Sequence, residues 1–583
     1  MRHRRKEQRE MDRERSCCAA DGRPANGSLP QERKTRRLRR VLISLAVAAG
    51  CFAASILFRR LYPDGDNYYI SLVVNGLFDD VGECQFLHPL LCRLLRGLSI
   101  LLPTADSFAL TGRILAFLEI FWLTDLLQKE KPGPLLLAAA VLLFLLASLE
   151  LDIFNCNFTL QASSCAATGM LSIACAQRHE RARREQVVGA LFLAMGYMWR
   201  REAALLTVPY LLLDTVCGVF SAENRSLALK KACRILAPCL LLTAALWLTN
   251  AAMRSDEAHR LAKEYNESRV AISDFPTWPW KRVEARANGE LTEADYYAAQ
   301  RWVLFDTEKM NTELFRKISA IGGRHAYPFT IRGAWDAAAG AKTTMVQNKQ
   351  ILRTGVLLAA LSLTGLLILP GWRRLEILLS LLGTLTILLF FVMLGRVTWL
   401  AMLTIPLGLT LYVLAADKKP SAERRSRVLA GALAALALYG LASAAHDLKP
   451  IEPQLALNAR RNVDESAFSA LVESDAVYVW QCLESNGLGV CMGQGKLPSK
   501  EVLNHLISTG DWTYGQIYFK THLERLGIPN PAAALLERDD VFLISHDPVW
   551  LFAILEERAG GPIEAEQVGT IFDIPIYSIS VKQ

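Results

Sequence analysis

Two carboxylates, Asp64 and Asp66, stand a few residues beyond the end of an apolar block, in the run Asp64-Gly65-Asp66-Asn67-Tyr68-Tyr69. A carboxylate held near a membrane interface can take the proton of a hydroxyl arriving from water while a lipid-linked partner stays in the bilayer. Arg200 and Arg201 end another apolar block, and Arg396 follows Gly395 at a third. Guanidinium keeps its charge near lipid, and its planar fork matches a phosphate. Competing readings need no chemistry. An Asx-rich turn capping the helix that starts near Tyr68 would use the same acids. Snorkelling to headgroups, or pairing of Arg201 with Glu202, would use the same arginines.

Weaker candidates surround these. Glu83 and His88 lie in the same segment as Asp66 and could assist proton transfer, although a histidine before Pro89 also suits a surface or capping role. Glu119 and Asp125 fall inside an apolar block, Asp125 near its inner end, and Arg113 is close enough along a helix to pair with Glu119. Trp278 and Trp280 could stack on sugar faces of an acceptor or anchor at the membrane interface. No CxxC, HExxH or Walker sequence is present, so a metal hydrolase or ATP-driven pump lacks its usual parts, and neither metal nor cofactor is expected. Of the thirteen cysteines, five sit in apolar blocks as small fillers, among them Cys165, Cys175 and Cys239; Cys482 and Cys491, nine residues apart, could form a hairpin disulfide in an oxidising compartment.

The elements that must position these residues are membrane helices. Of 583 residues, 52% are hydrophobic and 21% charged, a balance that argues against a soluble or disordered chain. The net charge of +8 is matched by the first forty residues alone, with fourteen Lys/Arg against six Asp/Glu. The basicity is therefore one solvated tail beside the membrane rather than a nucleic-acid surface. Eleven apolar blocks are long enough to serve as spans, near 41–58, 106–127, 134–150, 157–176, 186–199, 203–220, 234–252, 352–370, 376–394, 397–415 and 427–445. With the tail inside, the inner loops hold seventeen Lys/Arg, and the short outer breaks hold three, namely Arg200, Arg201 and Arg396. Arg59 and Arg60 close the first block as they would a signal anchor rather than a cleaved leader.

The expected fold class is thus a polytopic α-helical membrane protein of about eleven spans with a small extracytoplasmic α/β domain at the C-terminus. Its divisions are a basic cytoplasmic tail (1–40), N-terminal spans with an outside loop at 59–105 (41–252), an extracytoplasmic loop domain (253–351), C-terminal spans (352–445) and the α/β domain (446–583). In the outside loop, residues 68–78 and 86–102 read as helices lying along the membrane surface. In the loop domain, LTEAD suits a capping box around Thr292 and Asp295. In the last segment, DAVYVW, DDVFLI and IPIYSIS read as strands, while SKEVLNHLIS, YFKTHLERLG and DPVWLFAILEER read as helices. No glycine-rich phosphate loop opens any of them, so a cap over the membrane part is the expected role.

The run from Asp64 to Tyr69, placed after the first span in a long outside loop, resembles the acidic motif of the GT-C glycosyltransferases, integral-membrane enzymes that use lipid-phosphate sugars. The protein mannosyltransferases and the aminoarabinose transferase of lipid A are of that broad type, and the likeness in architecture extends over 41–445. A second run, Tyr265, Asn266, Arg269 and Asp274 followed by Asp295-Tyr296 and Trp302 to Asp306, resembles uncharacterised multispanning proteins of Gram-positive bacteria and brings no chemistry with it. The first resemblance implies inverting transfer from a polyprenyl-phosphate sugar to a glycan or lipid acceptor of the cell envelope, at the outer face of the plasma membrane. It implies Asp66 as the base, with Asp64 second; Arg200, Arg201 and Arg396, at the outer surface by the topology above, are the candidates to hold the donor phosphate. Asn67 stands where many members carry a second acid, which argues against a metal. A polymerase of lipid-linked polysaccharides or a non-catalytic flippase are the alternatives; no repeat relates the two halves, as many transporters would require.

Overall fold

A computed structural model describes residues 29–57, 65–130, 137–138, 140–141, 154, 157–179, 182–275, 278–322, 327–347, 349–369, 371–395, 399–415, 430–431, 434–435, 438–440, 442, 471–481, 483, 497–571 and 573–582. The helices of the first four hundred residues are α1 (Leu29–Leu57), α2 (Gly65–Val74), α3 (Pro89–Leu101), α4 (Ser107–Lys129), α5 (Phe158–Arg178), α6 (Arg183–Trp199), α7 (Arg201–Leu205), α8 (Val208–Ser221) and α9 (Arg225–Met253). They continue as α10 (Glu257–Ser273), α11 (Trp280–Ala287), α12 (Glu293–Gln300), α13 (Thr312–Gly322), α14 (Ile331–Gln347), α15 (Lys349–Ile368), α16 (Trp372–Met393) and α17 (Trp399–Ala415). A mixed segment follows: β1 (Val477–Trp480), α18 (Lys500–Leu503), β2 (Leu506–Ser508), α19 (Ile517–Arg525), α20 (Pro531–Glu537), β3 (Val541–Ile544), α21 (Val549–Ala559), β4 (Ile563–Ile571) and β5 (Ile574–Val581).

Among the described residues, five helical stretches are long and apolar enough to cross a bilayer: Lys34–Ser55, Arg201–Ser221, Arg225–Met253, Ile351–Ile368 and Trp372–Met393. They fall on the expected first, sixth, seventh, eighth and ninth spans. The expected spans at 106–127, 157–176, 186–199 and 397–415 are helical as α4, α5, α6 and α17. Those at 134–150 and 427–445 lie mostly outside the described residues.

Helix α5 is the pivot of the packing. It is rich in Ala, Ser, Gly and Cys and is buried on every side from Leu160 to Ala176, because small side chains let neighbouring backbones close in. A Cβ added at Gly196 of α6 would lie 2.7 Å from the Ala162 carbonyl oxygen of α5. The acidic side chains inside this packing find partners. Glu119 of α4 accepts from Gln161 Nε2 (2.7 Å) and from the Cys165 thiol (2.8 Å), so these α5 groups, rather than Arg113, hold it. At the other end of α4, Asp125 pairs with Arg40 (2.7 Å) and Lys129 (3.3 Å).

The first outside loop divides differently from the sequence reading. Helix α2 is core rather than surface: Tyr68, Tyr69, Ile70, Leu72, Val73 and Val74 are all buried. The C-terminal segment covers its outer face, with Phe78 against Phe519 and His522, and Tyr69 against Trp512. Helix α3 keeps the surface character expected of it. It buries Leu91, Cys92 and Leu95 and exposes Leu90, Leu94, Ile100 and Leu101, an apolar stripe suited to lipid.

The C-terminal segment forms a five-stranded sheet in the order β2-β1-β3-β5-β4. Strand β1 runs parallel to β2 and β3, and β5 pairs antiparallel with β3 and β4. The strands expected from DAVYVW, DDVFLI and IPIYSIS are β1, β3 and β5. SKEVLNHLIS is not one helix: α18 stops after a single turn and Leu506 to Ser508 enter the sheet as β2, buried on both faces. Cys482 and Cys491 lie outside the described residues.

Candidate functional site

Asp66 occupies the first turn of α2, where the helix dipole favours a carboxylate, and is half-buried. Next to it, Asn67 is buried and its Oδ1 accepts the Phe158 N–H that opens α5 (3.0 Å). The start of α2 is thereby tied to the N-terminal end of α5. Arg200 stands between α6 and α7 in extended backbone (φ −164°), which breaks the helix and projects its guanidinium sideways. That guanidinium donates to Thr159 Oγ1 and lies over the Phe158 ring (4.8 Å) and, farther off, the Phe86 ring (6.0 Å).

A second arginine completes the cluster. Arg269 of α10 is 2% exposed. It donates to Asn266 Oδ1 (2.7 Å) and Ser273 Oγ (3.1 Å), lies 3.7 Å from Asp274, and stacks on the Trp302 ring at 4.0 Å. Its Nε is buried and makes no hydrogen bond among the described residues. Burial lowers the Arg269 pKa from the usual arginine value, and Asp274, Tyr265, Asp511 and Asp66 act in the opposite direction without cancelling it. Arginine stays charged at such a shift, so the guanidinium is a buried, incompletely compensated cation.

The contacts close into a ring. Asn266, which holds Arg269, also accepts from Gln85 Nε2 (3.4 Å), and the neighbouring Phe86 faces Arg200. Arg254, at the end of α9, fixes this loop by donating to the carbonyls of Cys84 (2.8 Å), Gln85 (3.1 Å) and Leu87 (2.8 Å) and to Glu83 (3.0 Å). Asp66 joins this cluster through its neighbour Asn67, which is bonded to Phe158, and adds the weakest of the acidic fields on Arg269.

The C-terminal sheet domain supplies the cover. Trp512 packs edge-on against Phe86 (4.6 Å), and Gln516 Nε2 donates to Gln85 (2.9 Å). Asp511 is hydrogen-bonded by Thr513 and Tyr69, and burial raises its pKa. Two glycines permit the close approach. Gly515 has φ +79°, and a Cβ there would sit 2.2 Å from the Tyr265 ring; a Cβ at Gly510 would strike the Trp302 carbonyl. Trp302 itself has φ +60°, a left-handed conformation that a bulky side chain adopts only where its surroundings impose it. That residue forms the platform under Arg269.

The residues expected from sequence are distributed as follows. Asp66 and Arg200 share the ring. Asp64 and Arg396 lie outside the described residues. Arg201 is exposed and ion-paired with Glu202 at 2.5 Å. Glu83 is engaged by Arg254 (3.0 Å) and His259 (3.4 Å). His88 caps α3: Nδ1 accepts from the Leu90 N–H (3.2 Å) and Nε2 lies 2.8 Å from the Leu246 carbonyl, which fixes a neutral tautomer with both nitrogens engaged. Trp278 is covered by Arg282 at 3.5 Å, and Trp280 packs on Tyr296 at 5.6 Å. Sequence reasoning passed over Arg269, Trp302 and Asp511 as chemistry. The only signal for the first two was the run from Tyr265 to Asp306, and nothing local marked Asp511.

No family model matches the chain, and no curated protein matches it. Among solved structures it is similar to the crystal structure of ArnT from Cupriavidus metallidurans bound to undecaprenyl phosphate. Identity is 12% and the TM-score 0.34, over 92% of this chain and 97% of that one. A likeness at this level assigns no residue and no activity here.

Proposed function

We propose that this protein is a membrane glycosyltransferase that moves a sugar from a polyprenyl-phosphate donor to a cell-envelope acceptor, with inversion. The observation that supports this reading is Arg269, a buried guanidinium whose Nε makes no hydrogen bond among the described residues, with Asp66 the weakest of the acids whose field it feels. A base and an incompletely compensated cation in one water-poor cluster suit a reaction that takes a proton at one end and releases a phosphate at the other. Asp66 takes the acceptor hydroxyl proton. The acceptor oxygen bonds to the anomeric carbon as the bond from that carbon to the phosphate oxygen breaks, and Arg269 with Arg200 holds the charge of the departing polyprenyl phosphate. The proton on Asp66 then returns to water. The first turn of α2, tied to Phe158 through Asn67, keeps the base fixed relative to Arg200, which bonds the adjacent Thr159.

Transfer of radiolabelled sugar from a panel of polyprenyl-phosphate sugars, in membranes carrying wild type or Asp66→Asn, tests the reading. Loss of the general base lowers turnover by about 10²–10⁴-fold while donor crosslinking persists. Equal product from both proteins removes Asp66 as base, and absence of wild-type product with every donor overturns the transferase in favour of transport.

A further inference from the structure

At the opposite end of α5 from Phe158, three side chains of different chemistry converge. Cys175 and His179 are four residues apart and so share one face of the helix end. Glu130 caps the C-terminus of α4. The Cys175 thiol lies 3.4 Å from Glu130 Oε1, His179 Nε2 lies 2.8 Å from the same oxygen, and all the donor atoms fall within 4.8 Å of one another. Cys175 and Glu130 are buried, whereas the His179 side chain is 36% exposed and leaves a path to solvent.

We propose that Glu130, Cys175 and His179 bind a divalent transition metal, zinc by ligand chemistry, that staples the C-terminal ends of α4 and α5. One sulfur, one imidazole nitrogen and one carboxylate oxygen form a set that suits zinc and disfavours magnesium or calcium. Zinc–ligand distances of roughly 2.0–2.3 Å in tetrahedral array place ligand atoms about 3.3–3.7 Å apart. The sulfur–oxygen pair already has that spacing. The nitrogen–oxygen pair must open by roughly 0.6 Å, which a small rotation of the half-exposed imidazole supplies. The charges also balance, since a divalent cation, a thiolate, a carboxylate and a neutral imidazole sum to zero, the state a buried site tolerates. On binding, the thiol proton passes to solvent as the sulfur–metal bond forms, and His179 keeps its proton on Nδ1. Water fills the fourth position. The sequence carried no sign of this set, because Glu130 is forty-five residues from Cys175 and no short motif contains all three.

Cobalt(II) titration of the chelator-treated full-length protein in detergent tests the proposal. Wild type is expected to bind a single cobalt per chain with a thiolate-to-cobalt charge-transfer band that zinc abolishes, and its thermal midpoint is expected to rise with zinc. Cys175→Ser removes the band, His179→Gln weakens binding, and Cys217→Ser, outside the cluster, changes neither. Absence of the band and of the thermal shift in wild type overturns the proposal without recourse to any variant. A band of full strength in Cys175→Ser, which would place the metal on other thiols, also overturns it.

Discussion

The two ends of α5 handle buried arginine in opposite ways. At the C-terminal end, Arg178 meets the carboxylates of Asp214 and Glu376, Arg373 reaches the same two acids at 3.9 and 2.8 Å, and Arg178 stacks on Tyr412 at 4.3 Å. Two cations and two anions cancel there, and the cluster joins α5, α8, α16 and α17 as a structural tie. At the N-terminal end, Arg269 is held by the neutral side chains of Asn266 and Ser273 and by a tryptophan face, with Asp274 at a loose 3.7 Å. Neutral partners orient a guanidinium without quenching its charge. The first arrangement balances its cations with anions, and the second orients a guanidinium whose charge is less compensated.

The largest way to break the comparison is at the tie. Arg178→Gln leaves Asp214 and Glu376, both almost fully buried, to share the single cation Arg373, and is expected to cost about 3–5 kcal/mol, read as a lowered midpoint of thermal unfolding in detergent; an unchanged midpoint would mean that the cluster is not structural. Next, Gly515→Ala forces a Cβ into Tyr265 and a side chain into φ +79°, where the cover meets the N-terminal end. It is expected to cost about 2–3 kcal/mol and to speed proteolytic release of the sheet domain. Gly527→Ala, also at positive φ (+66°) but with only Arg538 at 4.0 Å, should cost about 1 kcal/mol, and equal effects would remove the Tyr265 contact from the account.

A smaller effect sharpens the comparison through pH. His522 in the cover is fully buried; its Nδ1 accepts from Arg525 (3.0 Å), its Nε2 faces the Leu506 carbonyl (3.2 Å), and burial pulls its pKa down to about 4. The unfolded histidine, near 6.5, therefore takes up a proton between these values that the folded one refuses. Stability is complete above about pH 6.5 and is lost as pH falls toward 4, by about 2 kcal/mol between pH 7 and pH 5. Denaturant unfolding followed by tryptophan fluorescence should show this slope in wild type and a flatter one in His522→Gln. The same slope in both would assign the acid sensitivity to another group.

Much of the helical frame was legible because apolar length is a local property: the five long apolar stretches fall on expected spans, and α3 shows the stripe that its leucines announce. Helix α2 was misread because Tyr69 looks like an interfacial residue until Trp512, more than four hundred residues later, packs on it, as Phe519 does on Phe78. Strand β2 was hidden for a similar reason, since Leu506 to Ser508 continue a helical pattern and only pairing with β1 makes them a strand. In the site, Asp66 and Arg200 stood out as charges beside apolar blocks. Arg269 did not, because its burial and its stacking on Trp302 are made by tertiary contacts that leave no periodic trace. Likewise, Glu119 had Arg113 as its nearest partner along the chain and found Gln161 and Cys165 across it.

The central claim is that the guanidinium at the N-terminal end of α5 receives an anion and the one at the C-terminal end does not. Binding of polyprenyl phosphate to the full-length protein in nanodiscs, compared among wild type, Arg269→Gln and Arg178→Gln at a temperature where all three remain folded, tests it directly. The account predicts that Arg269→Gln weakens binding by about tenfold or more, as expected for a lost charge-assisted contact of about 1.5–3 kcal/mol, while Arg178→Gln keeps wild-type affinity. Unchanged affinity in Arg269→Gln, or an equal loss in both variants, would contradict it.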